Sequence, residues 1–136
     1  MPWDLKQDRP IFTQIIEKLQ NDILSGAYLP GERLPSVREL AQEAAVNPNT
    51  MQKALARLEQ TGIVYTQRTS GRFITEDTAV LCARKEMLVE EAVAGFVEEL
   101  RNLGFQRDEI IPLLEEALHR SHEEGSLPAY RSFPYP

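Results

Sequence analysis

The chain has 136 residues, enough for one compact domain or for a small domain with an appendage. It contains no apolar run of the roughly 18 residues needed to span a bilayer and no signal peptide, so a soluble cytoplasmic protein is expected, and its lone Cys82 excludes an internal disulfide framework. The net charge of −6 comes entirely from residues 77–136, with six basic and twelve acidic side chains; residues 1–76 hold nine of each and residues 33–75 are net +3, so the balance does not exclude a nucleic-acid partner.

In chain order, the first element expected is a helix over residues 10–25, with Pro10 near its start and Gly26 after its end. Phe12, Ile15, Ile16, Leu19 and Ile23 recur at helical spacing and make a stripe that would close a core. Trp3 and Leu5 lie in an arm ahead of it, and the residues leave open whether Trp3 covers its own domain or a partner subunit. Pro30-Gly31 marks a turn. Ser36 and Glu39 have capping-box spacing, in which the hydroxyl takes the amide of residue 39 and the carboxylate returns to the amide of residue 36. Val37, Leu40, Ala41 and Ala44 then give a short helix one narrow apolar face, ending near Ala44 or Ala45.

A second short helix starts as clearly. Asn47 is a good N-cap, and Pro48 occupies the first helical position, where its missing amide costs nothing. Met51, Ala54, Leu55 and Leu58 form its buried stripe, and Gly62 is expected in the C′ role. Asn49, Thr50, Gln52, Lys53 and Arg57 must face elsewhere; most can bond base edges or phosphates and none is acidic. Residues 63–67 and 72–75 are rich in β-formers, and Arg68-Thr69-Ser70-Gly71 between them is short enough for a hairpin, with Gly71 able to take positive φ. Two short helices followed by a hairpin with basic residues at its tip, Arg68 and Arg72, predict a winged helix-turn-helix whose second short helix enters the DNA major groove.

The runs LPSVRELA, NPNTMQKAL and RTSGRFI resemble those of the GntR family of bacterial transcription regulators, and the resemblance covers residues 9–77. It implies that Arg38 holds a phosphate or guanine near the first short helix. It also implies that Asn47, Asn49, Thr50, Gln52 and Lys53 occupy recognition-helix contact positions, and that Gly71 lets the wing approach the groove. With Ser36 at the first helix start and the wing charges Arg68 and Arg72, these make up the expected DNA-binding set. The sequence departs from the family pattern at Thr69, where a first wing glycine is common, and at Arg72, where a small hydroxyl residue is common. Pro48 and Gln52 stand where relatives often carry arginine, so no operator sequence carries over.

From Thr78 the character changes. Residues 79–103 read as one long helix, Gly104 ends it, and a second helix follows over about 108–122, capped by Asp108, with Pro112 in its first turn or just after. Two helices with apolar faces this wide do not bury them alone, so a second copy with two-fold symmetry is expected against them. The segment resembles the short two-helix tail of the YtrA-like branch of the family, which implies a dimerisation module in place of a large effector domain. The expected fold is thus mostly α with a small β-hairpin: a winged helix-turn-helix DNA-binding domain over 9–77, a two-helix dimerisation segment over 78–122, and a loosely ordered tail over 123–136 with three prolines and two tyrosines.

The remaining features favour plain roles. His119 and His122 sit i,i+3 on one helix, but with so few further ligands they read as solvated histidines, and no metal or cofactor is expected. The pairs Glu90-Glu91, Glu98-Glu99 and Glu115-Glu116 are sequence neighbours that point apart on a helix, a solvated face and not a catalytic dyad. No phosphate loop, nucleophile elbow or zinc spacing suggests an enzyme. The reading is a dimeric repressor on a palindromic operator, with double-stranded DNA as partner, no membrane, and a small-molecule effector left open. The alternatives are a winged-helix protein-interaction module and a metal or small-ligand sensor acting through the C-terminal helices.

Overall fold

The computed structural model describes residues 3–124, with side chains as far as residue 121. Its elements are α1 (Ile11–Leu24), α2 (Val37–Ala44), α3 (Pro48–Glu59), β1 (Val64–Gln67), β2 (Gly71–Ile74), α4 (Thr78–Asn102) and α5 (Arg107–Glu124). The chain divides into two compact units, Met1–Lys85 and Glu86–Pro136. The expected tail lies outside the described residues from 125 on, as do the side chains of the His122 end of the histidine pair. No helix among the described residues is long and apolar enough to cross a membrane.

In the first unit the two periodicities, 3.6 in the helices and 2 in the hairpin, converge on one core. Ile15, Leu19 and Ile23 of α1, Leu40, Ala41 and Ala44 of α2, and Met51, Ala54, Leu55 and Leu58 of α3 are buried together with Val64 and Ile74 of the hairpin. Close packing of this kind holds α3 by its apolar stripe and leaves its other face to solvent. The capping box at Ser36 forms as its spacing predicts: Glu39 N–H donates to Ser36 Oγ at 3.1 Å, and Ser36 N–H donates to Glu39 Oε1 at 3.0 Å. Ala45 then turns the chain in the left-handed region at φ 58°, a position that favours glycine.

Around α3 and the wing the structure differs from the pattern in the sequence. The last turn of α3 tightens into i→i+3 bonds, from the amides of Gln60, Thr61 and Gly62 to the carbonyls of Arg57, Leu58 and Glu59, so Gly62 falls one residue beyond C′. The first strand starts one residue later than expected, at Val64, and the second is shifted one residue back to 71–74, because Gly71 pairs with Gln67 and Val64 with Ile74; Ile63 is buried just ahead of the ladder. Residues 31–34 also line the free edge of β2, through Gly31 N–H to Ile74 O, Ile74 N–H to Glu32 O and Leu34 N–H to Arg72 O, each 2.9 Å. An extended segment, bridged to β2 at Arg33–Phe73, therefore flanks the two-stranded wing, which turn signals alone did not indicate.

The first unit also reaches past residue 77. Val80 and Leu81 of α4 pack on the core, and Arg84 Nε donates to Gln20 Oε1 at 2.7 Å. Gln20 is buried, as is Gln14, whose side chain bonds the amide and carbonyl of Lys6 and the carbonyl of Arg9. Those bonds tie the N-terminal arm to α1. Trp3 packs on its own domain's core, with the Lys18 ammonium 5.8 Å from its ring centre.

In the second unit α4 ends in a Schellman motif: Phe105 N–H reaches Leu100 O and Gly104 N–H reaches Arg101 O, both at 3.0 Å, with Gly104 at φ 95°. Helix α5 begins one residue earlier than expected. Gln106, whose amide is taken by Glu109 Oε1 at 2.8 Å, precedes the helix, and Asp108 sits inside the first turn. Pro112 lies in the second turn, where its ring removes one amide from the ladder.

Candidate nucleic-acid interface

The expected contact residues distribute over α2, α3 and the wing. On α2, Ser36 is exposed but its hydroxyl serves the cap, while Arg38 is exposed and free to reach a ligand. On α3, Asn47 Oδ1 accepts the Asn49 amide at 2.7 Å, so that oxygen is engaged in starting the helix. Asn49, Gln52 and Lys53 are exposed along the face opposite Met51, Ala54, Leu55 and Leu58; Thr50 is half-buried at its edge. Arg57, on the same helix, sits with its guanidinium 5.8 Å from the centre of the Phe12 ring, a cation–π contact that ties α3 to α1.

The wing presents its charges unequally. Arg68 is exposed in the turn that Ser70 N–H closes on Gln67 O at 3.0 Å. Gly71 adopts φ 110°, and a Cβ there would lie 2.9 Å from Arg33 Nε. Glycine is required there by the backbone angle, and the Arg33 side chain passes close over it. Arg72 is not a free cation: its Nε donates to Glu59 Oε1 at 2.6 Å, and the two side chains are 18% and 29% exposed. Thr66 Oγ1 donates to the same carboxylate oxygen at 2.5 Å. Tyr65 and Phe73 stack on the hairpin with ring centres 5.8 Å apart. The Glu59 clasp and the Arg33 passage across Gly71 were not readable in advance, since each joins residues well separated in sequence.

Polar, uncharged and basic groups on one solvent face of a capped helix, beside a hairpin with an arginine at its tip, can bond base edges and phosphates. Residues 12–74 match the family described as bacterial regulatory proteins, gntR family. The chain is also 37% identical over 106 residues to the uncharacterized HTH-type transcriptional regulator YhcF of Bacillus subtilis (strain 168), covering 78% of this chain and 88% of that one. The chain belongs to the GntR family. As a GntR-family protein it is a DNA-binding transcription regulator. It is similar as well to the HTH-type transcriptional repressor YtrA of the same organism, with 40% identity over 100 residues, 74% of this chain and 72% of the relative. A GntR family transcriptional regulator from Listeria monocytogenes shares the fold with a TM-score of 0.78 at 35% identity, over 82% of this chain and 98% of that one. The mostly helical winged helix-turn-helix with a two-stranded hairpin is therefore the family's architecture in this chain.

The second unit carries a different kind of surface. An apolar hollow of about 950 Å³ is lined by Val97, Phe105, Ile110 and Ile111, with Arg101 and Arg107 at its border. No group of three or more His, Cys, Asp or Glu residues comes together among the described residues.

Proposed function

We propose that this GntR-family regulator is a homodimeric repressor that occupies a palindromic operator, with residues 9–77 as the DNA-binding domain and the helices of 78–122 as the dimerisation segment. The observation that carries the DNA-reading part is the exposed row Asn49, Gln52 and Lys53 on α3, opposite a fully buried stripe. The similarity to a relative named as a repressor supports the sign of regulation. Exposed apolar side chains on the second unit, among them Val93, Leu103, Ile111 and Leu118, support pairing with a second copy.

In this reading the two recognition helices enter successive major grooves about 34 Å apart. Arg38, Lys53 and Arg68 supply phosphate affinity, and Asn49, Thr50 and Gln52 supply base preference, with about 1–3 kcal/mol at stake for each good bidentate contact. Ser36 and Asn47 act mainly by setting the two helix starts. Repression follows from occupation of the promoter. The hollow bordered by Arg101 and Arg107 is where a small effector would bind.

The test is fluorescence anisotropy on a duplex enriched from a random library by the wild-type protein, with a scrambled duplex and a salt series alongside. Lys53→Ala should weaken binding to all sequences alike, and Gln52→Ala should change their ranking. Equal, weak binding of the wild type to both duplexes, with log affinity flat in log salt, would sink the proposal.

A further inference from the structure

Glu59 is the last residue of α3, where the helix dipole disfavours a carboxylate. Its position is made tenable by what meets it. Arg72 Nε from β2 donates to its Oε1 at 2.6 Å, and Thr66 Oγ1 from β1 donates to the same oxygen at 2.5 Å. One carboxylate thus holds both strands of the wing against the end of the recognition helix. The pair is less than one-third exposed on either side, so it is weakly screened, and its guanidinium is not presented to solvent as Arg68 is. The hairpin has four residues per strand, anchored at its base by buried Val64 and Ile74 and along β2 by residues 31–34, so the clasp, at the Thr66–Arg72 pair, acts on its outer half.

We propose that Arg72 and Glu59 form a clasp that positions the wing on the recognition helix, so that Arg72 acts in DNA binding through Arg68 at the wing tip and not by touching DNA. The inference rests on the DNA-binding reading proposed above. It has a consequence of sign. If Arg72 met a phosphate, neutralising Glu59 would release it and remove a repelling charge, and affinity would rise. If the clasp orients the wing, neutralising Glu59 lowers affinity although an acidic group has been taken from the DNA-facing domain.

The experiment uses the full chain and the library-enriched duplex, comparing Glu59→Gln, Arg72→Gln, Arg68→Ala and the Arg68→Ala/Arg72→Gln double variant. Glu59→Gln and Arg72→Gln should each weaken binding about three- to tenfold, because only the fraction of molecules with a correctly set wing binds at full strength. The double variant should be little weaker than Arg68→Ala alone. Its salt slope should fall by about one phosphate equivalent and not two, because a displaced wing has already lost the tip contact. Tighter binding by Glu59→Gln, or additive losses in the double variant, would overturn the clasp. Hydrogen exchange on the free protein gives a readout independent of DNA: protection over residues 64–74 should drop in Glu59→Gln and Arg72→Gln, with α1 and α2 unchanged. Unchanged wing protection overturns the clasp as well. A wild-type protein that enriches no duplex defeats the DNA-binding reading and leaves the clasp to be judged by exchange.

Discussion

The two units of this chain handle apolar surface in opposite ways. In the first, Leu40 of α2, Leu19 of α1 and Leu58 of α3 are fully buried, and the wing closes over them with Val64 and Ile74. In the second, Ile110 is the one buried side chain among the described residues, while Leu103 is 74% exposed, Ile111 60% and Val93 55%. Three short helices and a hairpin meet from several directions and enclose a core. Among the described residues, α4 and α5 leave most of the apolar side chains of the second unit uncovered by their own chain. A self-sufficient reader is thus joined to a segment with a surplus of sticky surface, the arrangement expected if the segment's work is assembly.

Breaking the surplus should have the largest effect. Leu114→Glu combined with Leu118→Glu should convert the protein to single chains in sedimentation equilibrium and weaken operator binding by about a hundredfold or more, through loss of the linked second site. A dimer that survives both changes would place the assembly surface elsewhere. Within the closed core, Leu40→Ala should cost about 3 kcal/mol in denaturant unfolding of the first unit. That loss should not vary with protein concentration, whereas unfolding of the second unit should; concentration dependence in both would erase the distinction between them.

Smaller effects test how the reader's first helix begins. Ser36→Ala should cost about 1 kcal/mol. Acceptance of the Ser36 backbone amide, then the Ser36 side-chain bond and the nearby Arg33, hold the Glu39 carboxyl below its usual value of 4.5. A lowered folded-state value means that this stabilisation is complete above the usual Glu value and is lost as pH falls through the lower folded value. Glu39→Gln should flatten that part of the stability–pH curve between the two values; an unaltered curve would show that the carboxylate contributes nothing through its charge. The smallest effect expected is at Ala45, at φ 58°. Ala45→Gly should raise stability by about 0.5 kcal/mol, the relief of a left-handed alanine less the extra freedom glycine has when unfolded. Melting of the two proteins side by side measures it.

What the sequence determined by itself is most of what is set within a turn or two of chain, the exact ends of α3 and the start of α5 excepted. The Ser36–Glu39 box, the Asn47-Pro48 start, the glycine at 104 and the stripes at three- and four-residue spacing each act between near neighbours, so the helices and their buried faces were legible at once. The exposed row Asn49, Gln52 and Lys53 followed as the complement of a buried stripe, and the family resemblance rested on the same local runs. Tertiary structure decided the pairings across the chain. Arg72 was expected as a second wing charge, and the fold pairs its guanidinium with Glu59, thirteen residues away. Arg57 turned to Phe12, Trp3 settled on its own core, and Gln20 waited sixty-four residues for Arg84, carrying the first unit into α4. An arginine has the same local preferences whether it will meet a phosphate or a carboxylate, and only the folded chain shows which groups lie within its reach.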